Sequence, residues 1–246
     1  MHHKLRTYAE AFLLSFSGLL VALALGWLLL SSVNYSYPIW HDHARIGWAI
    51  DKYGGINQHK TGFDLTTRAQ RIELFAGISH AINHGGDGLD SLQYSVPGHP
   101  TQKLLREAEI VHLQDVANLV TVGKYVGIGA VIVWIGIWIY FFLGQRIVPS
   151  LKRQMLVMTV FVGAAGLFVV IVGAKDVFYK LHEWVFPDNH EWFFYYQDSL
   201  MSTMMYAPNL FAWIAVEWVI LAMLLLAVLQ KGAGALVEKL HRRRHL

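Results

Sequence analysis

A carboxylate–imidazole group lies near the middle of the chain, in the run from Glu109 to Asp115. On a helix, Glu109, His112 and Asp115 are spaced i, i+3 and i+6, which places them along one side. A carboxylate beside an imidazole fixes the tautomer of the ring and raises its basicity, as a general base requires. The alternative interpretation of this spacing is an exposed charged stripe.

Two further residues could carry chemistry. His182 is followed by Glu183 near the end of a helical pattern, where the alternative is an interfacial histidine on an amphipathic helix. Glu217 lies about ten residues into an apolar run. A carboxylate at mid-membrane costs roughly 2.5–3.5 kcal/mol on insertion scales, so such residues usually face a polar interior. A structural and a functional role both stay open for Glu217.

A different class of site is indicated by His80 and His84, which are spaced i, i+4 on a predicted helix and could bind zinc or copper. A solvated helix face is the alternative. The run His41-Asp42-His43 is a weaker metal candidate of the same kind.

The composition restricts the class of protein. Charged residues are 15% of the 246 residues, against about 25% in globular proteins, and 55% of residues are hydrophobic. These values exclude a disordered chain, collagen, a coiled coil and a free cytosolic enzyme. The absence of cysteine excludes disulfides, thiolate nucleophiles, cysteine-ligated zinc and iron–sulfur clusters. A net charge of +3 without a basic, aromatic-interleaved patch argues against a nucleic-acid partner. We expect no cofactor.

Four apolar runs are long enough to cross a membrane, since a hydrocarbon core of about 30 Å takes roughly 20 residues. The first run is longer than the apolar part of a secretory signal, and no cleavage-like site follows it, so it is predicted to be an uncleaved span. The sequence therefore predicts an all-α integral membrane protein with a single four-helix domain over residues 1–246. The predicted spans are residues 12–33, 125–143, 155–174 and 207–229.

The distribution of basic residues predicts the orientation. Half of the 20 lysines and arginines lie in the short segments 1–11, 144–154 and 230–246. By the positive-inside rule these segments, with both termini, are cytoplasmic. The long loops 34–124 and 175–206 are then external, and any chemistry takes place at the outer membrane face.

Both external loops are predicted to be helical and to lie close to the membrane. Apolar residues recur at helical spacing from Leu65 to Ile82, with Asp64 or Thr66 as the predicted N-cap. Thr101 is predicted to cap a helix that continues into the second span. The third span is predicted to continue as an amphipathic helix until Pro187 breaks it.

Several motifs together resemble the lipoprotein intramolecular transacylase (Lit) family. The first is Glu-x-x-His-Leu-x-Asp-Val over residues 109–116, which leads into the second span. The other elements follow the third span, and the resemblance covers most of the chain; around Trp192–Asp198 it is closer to the broad, uncharacterised branch of the family. These elements are Phe178…His182, Trp192, Asp198-Ser199-Leu200 and Pro208-Asn209-Leu210-Phe211.

This resemblance implies an activity and a location. Members move an acyl chain from the sn-2 ester of a diacylglyceryl lipoprotein to the α-amine of its own N-terminal cysteine, giving a lyso form. The implied partners are lipid-modified lipoproteins and membrane lipid. The implied location is the external face of the bacterial cytoplasmic membrane, in a multi-pass protein. A non-enzymatic membrane protein that binds zinc or copper, or assists a membrane partner, is the alternative.

The resemblance also implies that His112 and His182 form the catalytic pair. We expect His112 to act as the base, oriented by Asp115 or Glu109, and His182 to support the oxyanion. The reverse assignment of the two histidines is the alternative. The residues expected to bind substrate are Trp192, Asp198, Glu183 and Glu217.

Overall fold

The structure, a computed structural model, describes the backbone of residues 2–244 and the side chains of residues 8–243. Met1, His245 and Leu246 lie outside the described residues. The structure therefore does not describe the side chains of some terminal lysines and arginines that were used to predict the orientation.

The described chain is largely helical, with one minimal β-hairpin. Strand β1 (Gln93–Tyr94) pairs antiparallel with β2 (Gln102–Lys103), so that Gln93 lies opposite Lys103. Short turns of 3-10 helix occur at Asn34–Ser36, Gly54–Ile56, Phe63–Leu65 and Leu89–Ser91. The α-helices are α1 (His2–Ser32), α2 (Tyr37–His43), α3 (Ile46–Tyr53), α4 (Arg68–Asn83), α5 (Glu107–Leu143), α6 (Leu151–Val172), α7 (Ala174–Val185), α8 (Leu200–Met205) and α9 (Asn209–Arg244).

Helices α1, α5, α6 and α9 are long and apolar enough to cross a membrane. The predicted number of spans and the mostly helical fold class are thereby confirmed. Helix α5 has 37 residues, which at about 1.5 Å per residue is longer than a bilayer core is thick. The prediction that one continuous helix runs into the second span is also confirmed.

The chain divides into two compact units, described separately below. The first unit contains α1 up to Leu28, segment Gly123–Val172 and the chain from Glu217 onward. In its core, buried side chains of α6, α1 and α9 pack together: Met158, Leu19, Ala22, Ala222 and Leu226. Many other apolar side chains of this unit are exposed, as a lipid-facing surface requires; they include Ile132, Val170, Ile171, Leu224 and Val228.

The second unit consists of segments Leu29–Val122 and Gly173–Val216. Its core is organised around Tyr37, whose ring is buried and stacks on Phe75 with centroids 3.9 Å apart. The Tyr37 hydroxyl donates a hydrogen bond to the carbonyl of Met204, 2.9 Å away. This side chain therefore joins α2, α4 and α8, and it satisfies its own polar atom while buried.

The local predictions for the first external loop need correction. The N-cap of α4 is Thr67 rather than Asp64 or Thr66, because Thr67 and Gln70 form a capping box. The predicted helix start at Thr101 is wrong: residues 102–103 pair in the hairpin, and α5 begins at Glu107. The run His41-Asp42-His43, the weaker metal candidate, lies at the end of helix α2.

The expected continuation of the third span is a separate helix. Gly173 has a φ of +100°, a conformation that only glycine adopts easily, and it separates α6 from α7. Helix α7 carries His182 and ends at Val185, before Pro187 as predicted.

Candidate active site

His112 and His182 lie next to each other in the second unit. Their ring centroids are 6.1 Å apart, although the residues come from α5 and α7 and are 70 positions apart in sequence. Only 8% of His112 is exposed, and His182 is half-buried. We call these two residues the histidine pair.

Four aromatic side chains surround the histidine pair; we call them the aromatic enclosure. Phe186 contacts both rings, with centroids 4.9 Å from His112 and 5.1 Å from His182. The centroid of Phe194 lies 6.0 Å from that of His112. The other two members contact His182: Phe178 at 3.9 Å and Trp192 at 5.1 Å. The enclosure makes a largely apolar setting in which hydrogen bonds and charges act strongly.

The tautomer of His182 is set by a backbone acceptor. Nδ1 of His182 lies 2.8 Å from the carbonyl oxygen of Phe178, four residues earlier in α7. A carbonyl only accepts, so Nδ1 carries the proton and Nε2 presents its lone pair. Burial lowers the pKa of His182 below its usual value of 6.5, and the hydrogen bond to Phe178 opposes this only in part. His182 is therefore neutral near pH 7.

His112 has a different environment. Its Nδ1 atom is buried and has no hydrogen-bond partner among the residues that the structure describes. No acceptor holds a proton on this nitrogen, so Nε2 is the nitrogen that carries it. The two rings can thus supply different groups, a lone pair from His182 and an N–H donor from His112.

Glu109 does not bond to His112, although it lies on the same helix. Its carboxylate is 1% exposed and accepts hydrogen bonds from the backbone N–H of Arg106 at 2.6 Å and of Met201 at 3.2 Å. The hydroxyl of Ser199 donates a third hydrogen bond, at 2.5 Å. Ser199 in turn caps α8 by accepting from the N–H of Ser202. Glu109 thus completes the first turn of α5 and fastens it to the start of α8.

Asp115 also has a partner other than His112. Its Oδ2 atom accepts a hydrogen bond from Nδ1 of His190, 2.6 Å away. The carboxylate that was expected to orient His112 is therefore bonded to another histidine, which sequence reasoning had not selected.

The four predicted substrate-binding residues have different surroundings. Trp192 lies against His182, as described above, and Asp198 is half-buried in a turn where its N–H donates to the carbonyl of Tyr195. Glu183 is exposed and forms an ion pair with Lys180 at 2.6 Å. Glu217 is half-buried on α9, in the first compact unit. Trp192 thus contacts the histidine pair, whereas Asp198 and Glu183 bond to other partners.

Four residues around the site were not selected as functional from the sequence. They are Phe186, His190, Phe194 and Ser199. Phe194 belongs to the aromatic run 192–196. Ser199 lies in one of the family motifs, whereas Phe186 and His190 carry no local signal, because their partners lie on distant parts of the chain.

His80 and His84, the predicted metal ligands, have exposed surroundings that differ from those of the histidine pair. His80 and His84 stack with ring centroids 4.0 Å apart, and both are exposed. Nδ1 of His84 is bonded to the carbonyl of His80 at 2.7 Å. Within the described part of the chain, no group of three or more histidine, cysteine or acidic side chains is arranged to hold a metal ion.

The fold and the site define a multi-pass helical membrane protein with a histidine pair in an aromatic enclosure. Residues 91–207 match the family model described as lipoprotein intramolecular transacylase Lit. That match includes both histidines, and it confirms the resemblance that the two motifs predicted. Over these residues the chain is similar to the Lit family. No curated protein sequence matches it.

Solved structures of Lit from Bacillus cereus are similar to this chain over nearly its whole length. One has a TM-score of 0.64 at 13% sequence identity and covers 99% of this chain and 100% of that chain. A histidine-to-arginine variant has a TM-score of 0.63 at 16% identity and covers 99% and 96%. At these identities the similarity shows a shared fold.

The buried Glu109 carboxylate yields a stability prediction. Glu109→Gln replaces an acceptor-only group with an amide whose N–H atoms oppose the donors around it. We expect a loss of about 1–3 kcal/mol in the free energy of unfolding, the cost of leaving a buried donor unpaired. Denaturant unfolding in detergent micelles measures this loss.

The matched control is Glu107→Gln, because Glu107 is an exposed acid in the same first turn of α5. This variant should stay within about 0.5 kcal/mol of wild type. Equal stability of both variants would show that the Glu109 bonds contribute nothing.

The lowered pKa of His182 predicts a dependence of stability on pH. The unfolded chain takes up a proton at this residue below about pH 6.5, whereas the folded chain resists it. The stability gained by keeping His182 neutral is thus present above this pH and is lost as the pH falls. Between about pH 7.5 and 5.5, the melting temperature of wild type should fall more than that of His182→Gln. Equal falls would mean that His182 titrates normally.

Proposed function

We propose that the protein is a lipoprotein intramolecular transacylase. It transfers an acyl chain from the sn-2 ester of a diacylglyceryl lipoprotein to the α-amine of the same N-terminal cysteine. The observation that carries this proposal is the juxtaposition of His112 and His182 at 6.1 Å within the aromatic enclosure. The match of residues 91–207 to the Lit family model supports it.

The reaction balances without another reactant. The amine nitrogen forms a bond to the acyl carbon, the ester C–O bond breaks, and one proton passes from the nitrogen to the glycerol oxygen. Since amine and ester belong to one molecule, positioning supplies much of the acceleration. The groups that the protein must add are a base that returns its proton and a donor for the oxyanion.

His182 is the better base of the two histidines. The carbonyl of Phe178 holds the proton on Nδ1, so the Nε2 lone pair can accept a proton from the attacking amine. The same nitrogen then returns the proton to the leaving glycerol oxygen. This assignment is the reverse of the one first expected from the sequence, where it was the alternative.

His112 then stabilises the tetrahedral oxyanion as a neutral donor. A neutral imidazole N–H in an enclosed, largely apolar site is a strong hydrogen-bond donor and needs no added charge. Asp115 and Glu109 do not bond to His112, because both carboxylates have other partners. They contribute by holding the segments around the histidine pair in place, Asp115 through His190 and Glu109 through Ser199.

The aromatic enclosure fits a lipid substrate. We propose that Trp192 contacts an acyl chain or the glyceryl group, because its ring lies against His182. Roles of Asp198, Glu183 and Glu217 in substrate binding stay predictions.

The proposed location is the bacterial cytoplasmic membrane, with the site at the external face and both termini in the cytoplasm. The positive-inside distribution of lysine and arginine supports this orientation. Lipoproteins carry their diacylglyceryl group at the outer surface of that membrane, where such a site meets them.

The non-enzymatic alternative depends on His80 and His84. Their stacked, exposed rings could offer two ligands to zinc or copper, fewer than the three or four protein ligands usual at a zinc site. The same experiment can test both proposals.

Mass spectrometry of a lipoprotein N-terminus tests the activity in cells that accumulate the diacyl form. Wild type should yield an N-acylated, mono-acylglyceryl cysteine. His112→Ala and His182→Ala should leave the diacyl form, since loss of acid–base or oxyanion groups costs about a hundredfold or more.

The matched control is the double variant His80→Ala/His84→Ala, which changes two exposed histidines of the same unit. It should process the lipoprotein like wild type. An unchanged lipoprotein in cells with membrane-inserted wild type would refute the transacylase proposal. Processing that is lost only in the double control would show that the activity depends on His80 and His84 rather than on the histidine pair.

A further inference from the structure

A carboxylate–imidazole bond lies beside the histidine pair. Nδ1 of His190 donates to Oδ2 of Asp115 at 2.6 Å, and the residues are 75 positions apart in sequence. Asp115 is 16% exposed and His190 is 32% exposed, so the bond is partly shielded from water. A short hydrogen bond to an ionised acceptor is among the stronger kinds of hydrogen bond in proteins.

Each partner is linked to one side of the active site. Asp115 follows His112 by three residues, on the adjacent turn of α5. His190 lies in the stretch 186–194, between the end of α7 and the turn before α8. The bond therefore connects the helix that carries one catalytic histidine to the non-helical stretch beyond the helix that carries the other.

The stretch 186–194 supplies three of the four rings of the aromatic enclosure. Phe186, Trp192 and Phe194 lie within four residues of His190 on either side. The stretch is not part of a helix or a strand. The backbone N–H of His190 donates a hydrogen bond to the carbonyl of Pro187, at 3.0 Å. A non-helical stretch of this kind needs side-chain bonds to hold its rings in one arrangement.

We propose that Asp115 and His190 are a positioning pair that fixes the stretch 186–194 over the histidine pair. Neither residue needs to contact the reacting atoms. The pair holds Phe186, Trp192 and Phe194 against His112 and His182, so that the imidazoles keep the orientation required for proton transfer. The kinetic part of this inference rests on the proposed transacylase function.

The variants distinguish the bond from the bulk of the side chains. His190→Gln keeps an N–H donor that can reach Asp115, whereas His190→Ala has none. Asp115→Asn keeps an acceptor oxygen but loses the charge. The purified full-length protein is assayed with a synthetic diacylglyceryl lipopeptide, and hydrogen exchange is followed over residues 186–194.

We expect kcat of His190→Ala to fall by about 10–100-fold, the range typical of a small misplacement of catalytic groups. KM should change by less than about threefold, because the substrate still binds. His190→Gln should recover most of the rate. Hydrogen exchange over 186–194 should be faster in His190→Ala than in wild type or His190→Gln.

The double variant Asp115→Asn/His190→Ala tests whether the two residues act as a unit. If they do, the activity of the double variant is no lower than that of the less active single variant. The control is His99→Ala, which removes another histidine hydrogen bond of the same unit, to Thr61 at 3.1 Å. This control should keep both kcat and the exchange pattern.

Three results would overturn the inference: unchanged kcat in His190→Ala, equal loss in the Ala and Gln variants with unchanged exchange, or losses that multiply in the double variant. Hydrogen exchange also separates this inference from the proposed function. If wild type were inactive, faster exchange in His190→Ala would still support the positioning pair, and unchanged exchange would refute it.

Discussion

The buried carboxylate of Glu109 holds the second unit together around the active site. A carboxylate that is 1% exposed must find donors for its oxygens, and it finds them on Arg106, Ser199 and Met201. The first turn of α5 and the start of α8 are thereby fastened to one group. His112 lies three residues beyond Glu109 on a rigid helix, so its position depends on the same carboxylate.

A second constraint comes from the chemistry. A base and an oxyanion donor are most effective where water is excluded and where both rings start neutral, so that one can accept a proton and the other can donate a hydrogen bond. The aromatic enclosure provides such a setting, and the carbonyl of Phe178 fixes the tautomer of His182 within it. Carboxylates bonded directly to the pair would favour charged imidazoles. The structure instead engages Glu109 and Asp115 in bonds that shape the site.

The sequence predicts the long elements well, because their signals are local. Twenty-residue apolar runs indicate the four spans, and the absence of proline between Thr101 and Leu143 indicates the continuous helix α5. The cap of α4 was also predictable: Thr67 is followed three residues later by Gln70, the spacing of a capping box. Thr66 lacks such a partner, because the residue three positions later is alanine. The break at Gly173 depends on a backbone conformation that one glycine among many does not reveal.

The site was predictable only in part, because its contacts join distant residues. The histidine pair came from a family resemblance, since spacing along the chain says nothing about whether α5 and α7 meet. The bonds from Glu109 to Ser199 and from Asp115 to His190 join residues 90 and 75 positions apart. Periodicity identified the carboxylates as candidates but could not identify their partners.

An isotope crossover experiment tests whether one molecule both donates and accepts the acyl chain, as the proposed reaction requires. The purified protein is given two lipopeptides of different sequence, one with a deuterated sn-2 acyl chain. Intramolecular transfer places the deuterated chain only on the amine of its own peptide. Deuterium on the other peptide, or release of the chain as free fatty acid, would contradict it.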